Sequence, residues 1–457
     1  MGWFPNRIII NHLLAYFKAN RFFVVSVCLL HAVAFLAALH WKKFFMGDSA
    51  EYIYEALNIK NLFFCYSGNP AMPIEPEFMT QRQPLYPLFL MGVYVFTFNA
   101  RVVVFLQNFS SIANMLWARE MFKSLGYNAK YDKLLLLFIA CYPSQFINAN
   151  TVAPDILLQT CTVVYMACFI KFYKQQQIKH LLWAGLALIA GMMVKPVLYP
   201  VAGLHIAFVI VSLLRRRAHM QRVIAAAILP LCFVLMYDRV NELRTGAFHF
   251  SSNQAFNAVY YFYPFVASKY GADSAEIFLH QERAAVAAYP EYRDRYAYAN
   301  HRGRELIMDN FAPYLLFHVQ NALRLFVEPG KAEIDLFTGR LTYGKLYSKH
   351  AGGFYAAWHS KQPGALRAYV AENPSLIAIV LVFFFNVLKV IGFLLFLRLR
   401  EIPVFIRMFF MLTVCYFAVA AGPIAAPRYF LPVSLVVSCC AIVGLSRFRS
   451  FQSPQPA

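Results

Sequence analysis

Charge is scarce in this chain. Only 14% of its 457 residues are charged, against roughly 25% in a soluble globular protein. Long apolar runs recur along most of its length. The shortage excludes a water-soluble domain and leaves a polytopic, all-α membrane protein. Signatures of several chemistries are also missing. There is no GxxxxGK[ST] phosphate loop, no HExxH zinc helix and no GxSxG nucleophile turn, and the scattered histidines lack metal-ligand spacing. No CxxC pair occurs. Eight of the nine cysteines lie in or beside apolar runs, with Cys65 alone in a long polar loop; they read as small buried hydrophobes, not as a disulfide framework. No small-residue cleavage site follows the first apolar run, so Phe22 to His40 reads as a retained helix and not a signal peptide. No internal repeat is visible, and biased composition is confined to the short Ser/Pro/Gln tail.

Acidic residues are scarcer still: 22 Asp and Glu against 42 Lys and Arg, a formal charge of +20. The excess does not indicate nucleic acid. It falls in short clusters between apolar runs, where it sets the orientation of a membrane protein, and the remainder favours anionic lipid or phosphate. Arg7, Lys18 and Arg21 place the N-terminus in the cytoplasm. Helix Phe22 to His40 crosses outward into a polar loop over 41–84. Leu85 to Phe98 is apolar but short, as in a re-entrant or interfacial segment, so the first outer loop extends to about 100. Val102 to Ala118 crosses inward to Arg119, Lys123, Lys130 and Lys133. Leu134 to Asn150 goes outward, and the next helix returns to Lys171, Lys174 and Lys179. Leu181 to Val194 goes outward, Val197 to Leu214 returns to Arg215, Arg216 and Arg217, and Val223 to Tyr237 goes outward again.

A tyrosine-rich, mostly polar region over 241–375 is expected to be an extracytoplasmic domain of mixed, mainly helical structure. Within it the amphipathic run Phe311 to Val327 is expected to lie on the membrane. Ile377 to Leu397, Val404 to Ala421 and Tyr429 to Leu445 close the chain, with Arg398, Arg400, Arg407, Arg447 and Arg449 inside. The expectation is about ten transmembrane helices in three parts: an N-terminal module over 1–240, the domain over 241–375, and C-terminal helices with a cytoplasmic tail over 376–457.

This alternation gathers Asp48, Glu51, Arg82, Asp155, Lys195 and Arg428 on the outer side, at helix ends or in loops. Charges at such depth are costly and usually mark function or pairing. Together they suit transfer from a phosphate-linked donor. A hydroxyl nucleophile needs a base, which Asp48 can supply, while the charge developing on a departing phosphate must be met by cations, for which Arg82, Lys195 and Arg428 are placed. Asp155 reads as a second acid, a hydroxyl-binding residue or a metal ligand. The competing readings are structural: Asp48 as a helix cap, Glu51 as a solvated face residue, Arg82 paired with Glu75 or Glu77, Lys195 snorkelling to headgroups, and Arg428 as an interfacial anchor.

In order along the chain, these stretches resemble the GT-C superfamily of polyprenyl-phosphate-sugar-dependent glycosyltransferases. The branch is the bacterial one related to protein mannosyltransferases and the aminoarabinose transferase of lipid A. Gly47-Asp48-Ser49-Ala50-Glu51-Tyr52 resembles the acidic motif of the first outer loop. Arg82-Gln83-Pro84-Leu85-Tyr86-Pro87 resembles the Arg-x-Pro-x-Tyr-Pro stretch after it. Tyr142-Pro143 with Pro154-Asp155 is similar to the second-loop element, although Asp155 stands where Glu is commoner. Val194-Lys195-Pro196 is similar to Thr-Arg-Pro, with Lys for Arg. Arg302 to Pro329 resembles the amphipathic segment before the late helices, and Pro427-Arg428-Tyr429-Phe430-Leu431-Pro432 resembles the C-terminal Arg-Tyr-x-x-Pro motif.

The resemblance implies an inverting transferase with Asp48 as the essential acid, assisted by Glu51 and Asp155. Arg82, Lys195 and Arg428 would hold the donor phosphate. It leaves open a divalent cation, with Asp48 and Asp155 as its ligands. The implied partners are a polyprenyl-phosphate-linked sugar, an acceptor that is lipid, glycan or protein, and membrane lipids, in a bacterial inner membrane with the site facing the periplasm. Two rival readings remain: a ligase or polymerase of pyrophosphate-linked glycans, and a transporter or flippase of lipid-linked sugar.

Overall fold

A computed structural model describes residues 15–213, 220–340 and 376–448, with positions 364, 367, 370 and 371. Arg7, Arg215 to Arg217 and Arg449, on which part of the expected orientation rests, lie outside the described residues, as do most of 341–375 and the terminal tail. Among the described residues every regular element is helical. The chain is a multi-pass integral membrane protein.

Each of the ten expected crossings holds a helical segment. They are α1 (Arg21–Trp41), α4 (Ala100–Lys123), the pair α5 (Asp132–Ala140) and α6 (Pro143–Ala149), α7 (Asp155–Gln175), α8 (Ile178–Val194), α9 (Val201–Leu213), α10 (Met220–Thr245), α17 (Leu376–Arg398), α18 (Val404–Ala421) and α19 (Leu431–Phe448). Six are long and apolar enough to span a bilayer by themselves: α1, α7, α9 with the turn before it, α10, α17 and α18. Helices α8 and α19 are apolar but shorter.

The third crossing differs from the single run expected over 134–150. It breaks after Ala140, where Pro143 cannot donate a helical hydrogen bond. A broken helix at membrane depth must have its freed backbone groups satisfied by neighbours. At the break itself Lys389 Nζ of α17 donates to Cys141 O at 3.3 Å, and α4 meets the carbonyls that end α6 with a buried polar face. Gln107 Nε2 donates to Thr151 O at 2.7 Å and Asn108 Nδ2 to Ala149 O at 3.2 Å. Asn114 Nδ2 donates to Gln159 Oε1 at 3.1 Å. The polar residues that interrupt α4 are thus the complement of the C-terminal end of α6 and of Gln159 on α7.

Between α1 and α4 lie two shorter helices, α2 (Ser49–Leu62) and α3 (Leu85–Tyr94). With ten residues, α3 is about 15 Å long, too short to cross. Lys60 Nζ ties the end of α2 to Tyr94 O at 3.0 Å. Around this tip Phe63 is 93% and Phe96 89% exposed, beside exposed Val95 and Phe98. Such a tip is costly in water and comfortable in hydrocarbon, as the re-entrant reading of 85–98 requires.

The region after α10 forms helices α11 (Asn253–Tyr260), α12 (Tyr263–Tyr270), α13 (Ala272–Ala287), α14 (Tyr292–Asp309), α15 (Phe311–Arg324) and α16 (Lys331–Phe337). It has its own aromatic core, including Phe256, Phe262, Phe265, Tyr292 and Tyr314. Helix α15 leaves Phe311, Leu315, Leu316, Val319 and Leu323 exposed along one side, the stripe expected to face lipid. It contacts α18 through His318, whose Nε2 lies 2.8 Å from Val419 O.

Helices α17 and α19 meet through small residues. A Cβ placed on Gly444 would lie 2.1 Å from Gly392 O, and one on Gly392 would lie 2.7 Å from Ala441 O. This close approach suits membrane helices, which associate by packing.

Candidate active site

Four breaks in helical structure bring the site together. Asp48 occupies the N-cap position of α2, yet its side chain makes no cap hydrogen bond, so the capping explanation fails. Asp155 is the first residue of α7, directly after Pro154. Both carboxylates therefore sit at the positive end of a helix dipole. Lys195 is the residue after α8 and precedes Pro196, which imposes extended backbone (φ −155°, ψ 132°). Arg428 rides on a one-turn 3-10 helix, Pro427–Tyr429, opened by its proline.

These side chains converge on one cavity of ≈ 470 Å³, lined by Asp48, Arg82, Asp155, Lys195 and Arg428 among others. Asp48 Oδ2 lies 3.2 Å from Arg428 Nη2 and 3.9 Å from Arg82 Nη1. Lys195 Nζ donates to Asp155 Oδ1 at 2.8 Å, and Asp155 is 1% exposed. Arg82 Nε donates to Glu51 Oε2 at 2.6 Å, and its guanidinium lies over the Tyr52 ring at 4.9 Å. The alternative pairing of Arg82 with Glu75 or Glu77 does not occur. Glu51 does not line the cavity; its contact is with Arg82.

Burial raises the Asp48 carboxyl, but Arg428, Arg82 and Lys195 outweigh it and hold the group well below the usual carboxylate range. Burial alone would lower the Arg82 guanidinium; Tyr52, Glu51 and Asp48 more than reverse this, so its charge is permanent. Two carboxylate oxygens, Asp48 Oδ1 and Asp155 Oδ2, are buried without a hydrogen-bond partner. Both are acceptors for a hydroxyl or a cation.

The turn that carries Arg428 is held from two sides. Its backbone N–H donates to Glu333 Oε1 of α16 at 2.8 Å, and Tyr142 OH donates to Pro427 O at 2.7 Å. The first loop is fixed to the second by Ser49 Oγ donating to Val152 O at 2.7 Å and Val152 N to Phe44 O at 2.7 Å. The cavity also has an apolar lining, formed by Val197, Phe417, Ala420, Ala421 and Ile424.

A third wall was not anticipated from the sequence. Asn253, Gln254, Asn257 and Tyr261, on and just after α11, line the cavity with Tyr199, Tyr416 and Tyr429. Asn253 and Gln254 are engaged structurally, donating to Gln81 O at 3.0 Å and accepting from Phe250 N at 2.8 Å. The signal that could have revealed the wall is the Asn253/Asn257 spacing, which places two carboxamides on one helix face.

No family model matches the chain, and no curated protein matches it. Among solved structures it is similar to the archaeal oligosaccharyltransferase AglB from Archaeoglobus fulgidus in complex with an inhibitory peptide and a dolichol-phosphate. The identity is 14% and the TM-score 0.47, covering 96% of this chain and 53% of that one. It is also similar to ArnT from Cupriavidus metallidurans bound to undecaprenyl phosphate, at 14% identity and a TM-score of 0.38, covering 94% of this chain and 79% of that one. The chain spans about half the length of the AglB chain.

Proposed function

We propose that the protein is an integral membrane glycosyltransferase. It moves one sugar from a polyprenyl-phosphate carrier to an acceptor hydroxyl, with inversion, on the extracytoplasmic face. The observation that carries this reading is the one cavity in which Asp48 lies within reach of both Arg82 and Arg428, with Lys195 and an apolar surface also in its lining.

The donor phosphate takes the guanidiniums of Arg82 and Arg428 and the ammonium of Lys195, arginine being suited to forked contact with phosphate oxygens. The first isoprene units lie along Val197, Phe417 and Ile424. The acceptor hydroxyl attacks the anomeric carbon from the side opposite the phosphate. Its proton passes to Asp48, the carbon–oxygen bond to phosphate breaks, and the phosphate leaves as an anion that needs no proton. Asp48 is a weak base while two arginines face it. When the phosphate takes up those cations and adds its own negative charge, Asp48 becomes more basic. Glu51 keeps Arg82 aimed at the phosphate, and Asp155 offers its free oxygen to a sugar hydroxyl while steadying Lys195. Among the described residues no three His, Cys, Asp or Glu side chains gather as metal ligands; a divalent cation bound with the donor would have Asp48 and Asp155 as its protein ligands and would add to phosphate neutralisation.

Purified protein in lipid nanodiscs, supplied with polyprenyl-phosphate-linked sugars, should form a new glycosidic bond. Asp48→Asn should lower turnover by at least about 100-fold while leaving thermal unfolding and retention of polyprenyl phosphate unchanged. Undiminished transfer by that variant would sink the assignment. Lipid moved across the bilayer with no bond formed would mark a flippase, and turnover only with pyrophosphate-linked glycans would mark a ligase.

A further inference from the structure

A second groove lies at the other end of the same helices. Helices α4 and α7 are joined by the Asn114–Gln159 hydrogen bond at 3.1 Å. From there a groove of ≈ 460 Å³ opens between them, walled by Trp117, Met121, Val164, Ala167 and Cys168 and ending at Lys171 and Lys174, with Glu120 and Ser124 also in its lining. Asp155 begins α7 in the candidate active site, so Lys171 lies about 24 Å further along the helix, near the far boundary of the hydrocarbon core.

The charges at this end do not cancel. Asp132 is taken by Arg119 at 2.8 Å, and Glu120 by Arg119 at 2.9 Å and Lys123 at 2.6 Å. Lys171 has no acidic partner among the described residues, and Lys179 adds a further positive charge at this end. Lys174 Nζ donates to Ser124 O at 2.6 Å and to Ser124 Oγ at 3.2 Å. This fixes the ammonium at the groove mouth with one of its three N–H groups uncommitted. An apolar slot at acyl-chain depth thus ends at two ammoniums in a local surplus of positive charge.

We propose that this groove seats one anionic glycerophospholipid. An acyl chain lies between α4 and α7 against Trp117, Val164 and Ala167, and the phosphate is held by Lys171 and Lys174. The site is separate from the candidate active site and does not depend on the reaction assigned there.

Native mass spectrometry of the full chain released from detergent tests this, with titration by phosphatidylglycerol and phosphatidylcholine of identical chains. The first phosphatidylglycerol should bind with a clear preference. Lys171→Ala with Lys174→Ala should weaken it by about fivefold per lysine, while Lys130→Ala with Lys133→Ala, at the same end but off the groove, should leave it unchanged. Ala167→Trp should block the slot and abolish the first binding step. Equal binding of the two lipids, or an equal loss in the control pair, would reduce the effect to annular lipid and surface charge and overturn the proposal. Undiminished binding by Ala167→Trp, with unfolding temperature preserved, would overturn the acyl-chain seat; if that variant misfolds, the two lysine pairs decide.

Discussion

Two buried carboxyls on α2 are driven in opposite directions by their neighbours. Asp48 is held ionised by Arg428, Arg82 and Lys195 against the effect of burial. Glu55, two turns along, is 1% exposed, and burial raises it to about 8, with Arg244 and Arg82 only partly opposing. The folded chain therefore keeps the Glu55 proton over a range in which the unfolded chain, with an ordinary value of 4.5, has lost it. The favourable state is fully present below that value and is lost as pH rises towards about 8. Thermal unfolding in detergent should fall over this window, and Glu55→Gln should flatten the fall, by on the order of 1–3 kcal/mol. Identical pH slopes for both proteins would show that Glu55 is ionised when folded. Asp48, Arg82, Asp155, Lys195 and Arg428 were legible in the sequence because each is a charge at the end of an apolar run. Glu51 was legible as an acid, but its partner was not, because which of several carboxylates reaches Arg82 depends on the turn of α2. Asn257 and Tyr261 were not legible, since neutral polar residues in a polar region do not stand out.

Helix ends were easier to read than helix interiors. The expected run Val404 to Ala421 is the observed α18, because Pro403 before it and Gly422 after it bound the apolar stretch. The break between α5 and α6 was hidden, since Cys141 and Tyr142 keep the run apolar and only Pro143 marks the place. The polar face of α4, which meets the carbonyls at the end of α6, is intelligible only once the two elements are adjacent. The packing of α17 on α19 was equally invisible in one dimension: Gly392 and Gly444 are 52 residues apart, yet neither has room for a methyl group. Gly444→Ala should force the two helices apart and destabilise the protein by about 1–3 kcal/mol. Thermal unfolding would show this, whereas Gly203→Ala, where a Cβ meets nothing within 4 Å, should have little effect on packing. Equal stabilities would mean that α17 and α19 can separate without cost.

At the scale of the whole molecule, the proposed mechanism requires the domain after α10 to lie on the same side of the membrane as the site and outside the cell's cytoplasm. In sealed, right-side-out vesicles, an impermeant maleimide should label Ser274→Cys on α13 above the wild-type background. Lys179→Cys, at the start of α8, should react only after permeabilisation. The reverse pattern would place the cavity in the cytoplasm. The order of the apolar helices was legible because each apolar run is bounded locally by charged or turn-forming residues. The sequence could not supply the meeting of distant segments in one cavity, which depends on helix packing.

That meeting also has a schedule. The contact between Asp48 and Arg428 spans 380 positions of the chain. At a synthesis rate of about 5–20 residues per second, roughly 20–75 s separate the appearance of the two residues. Until the last helix is inserted, Asp48 faces only part of its positive surroundings and the cavity lacks a wall. Assembly itself therefore acts as a timer, and a chain cut short anywhere before Arg428 is born without a finished centre.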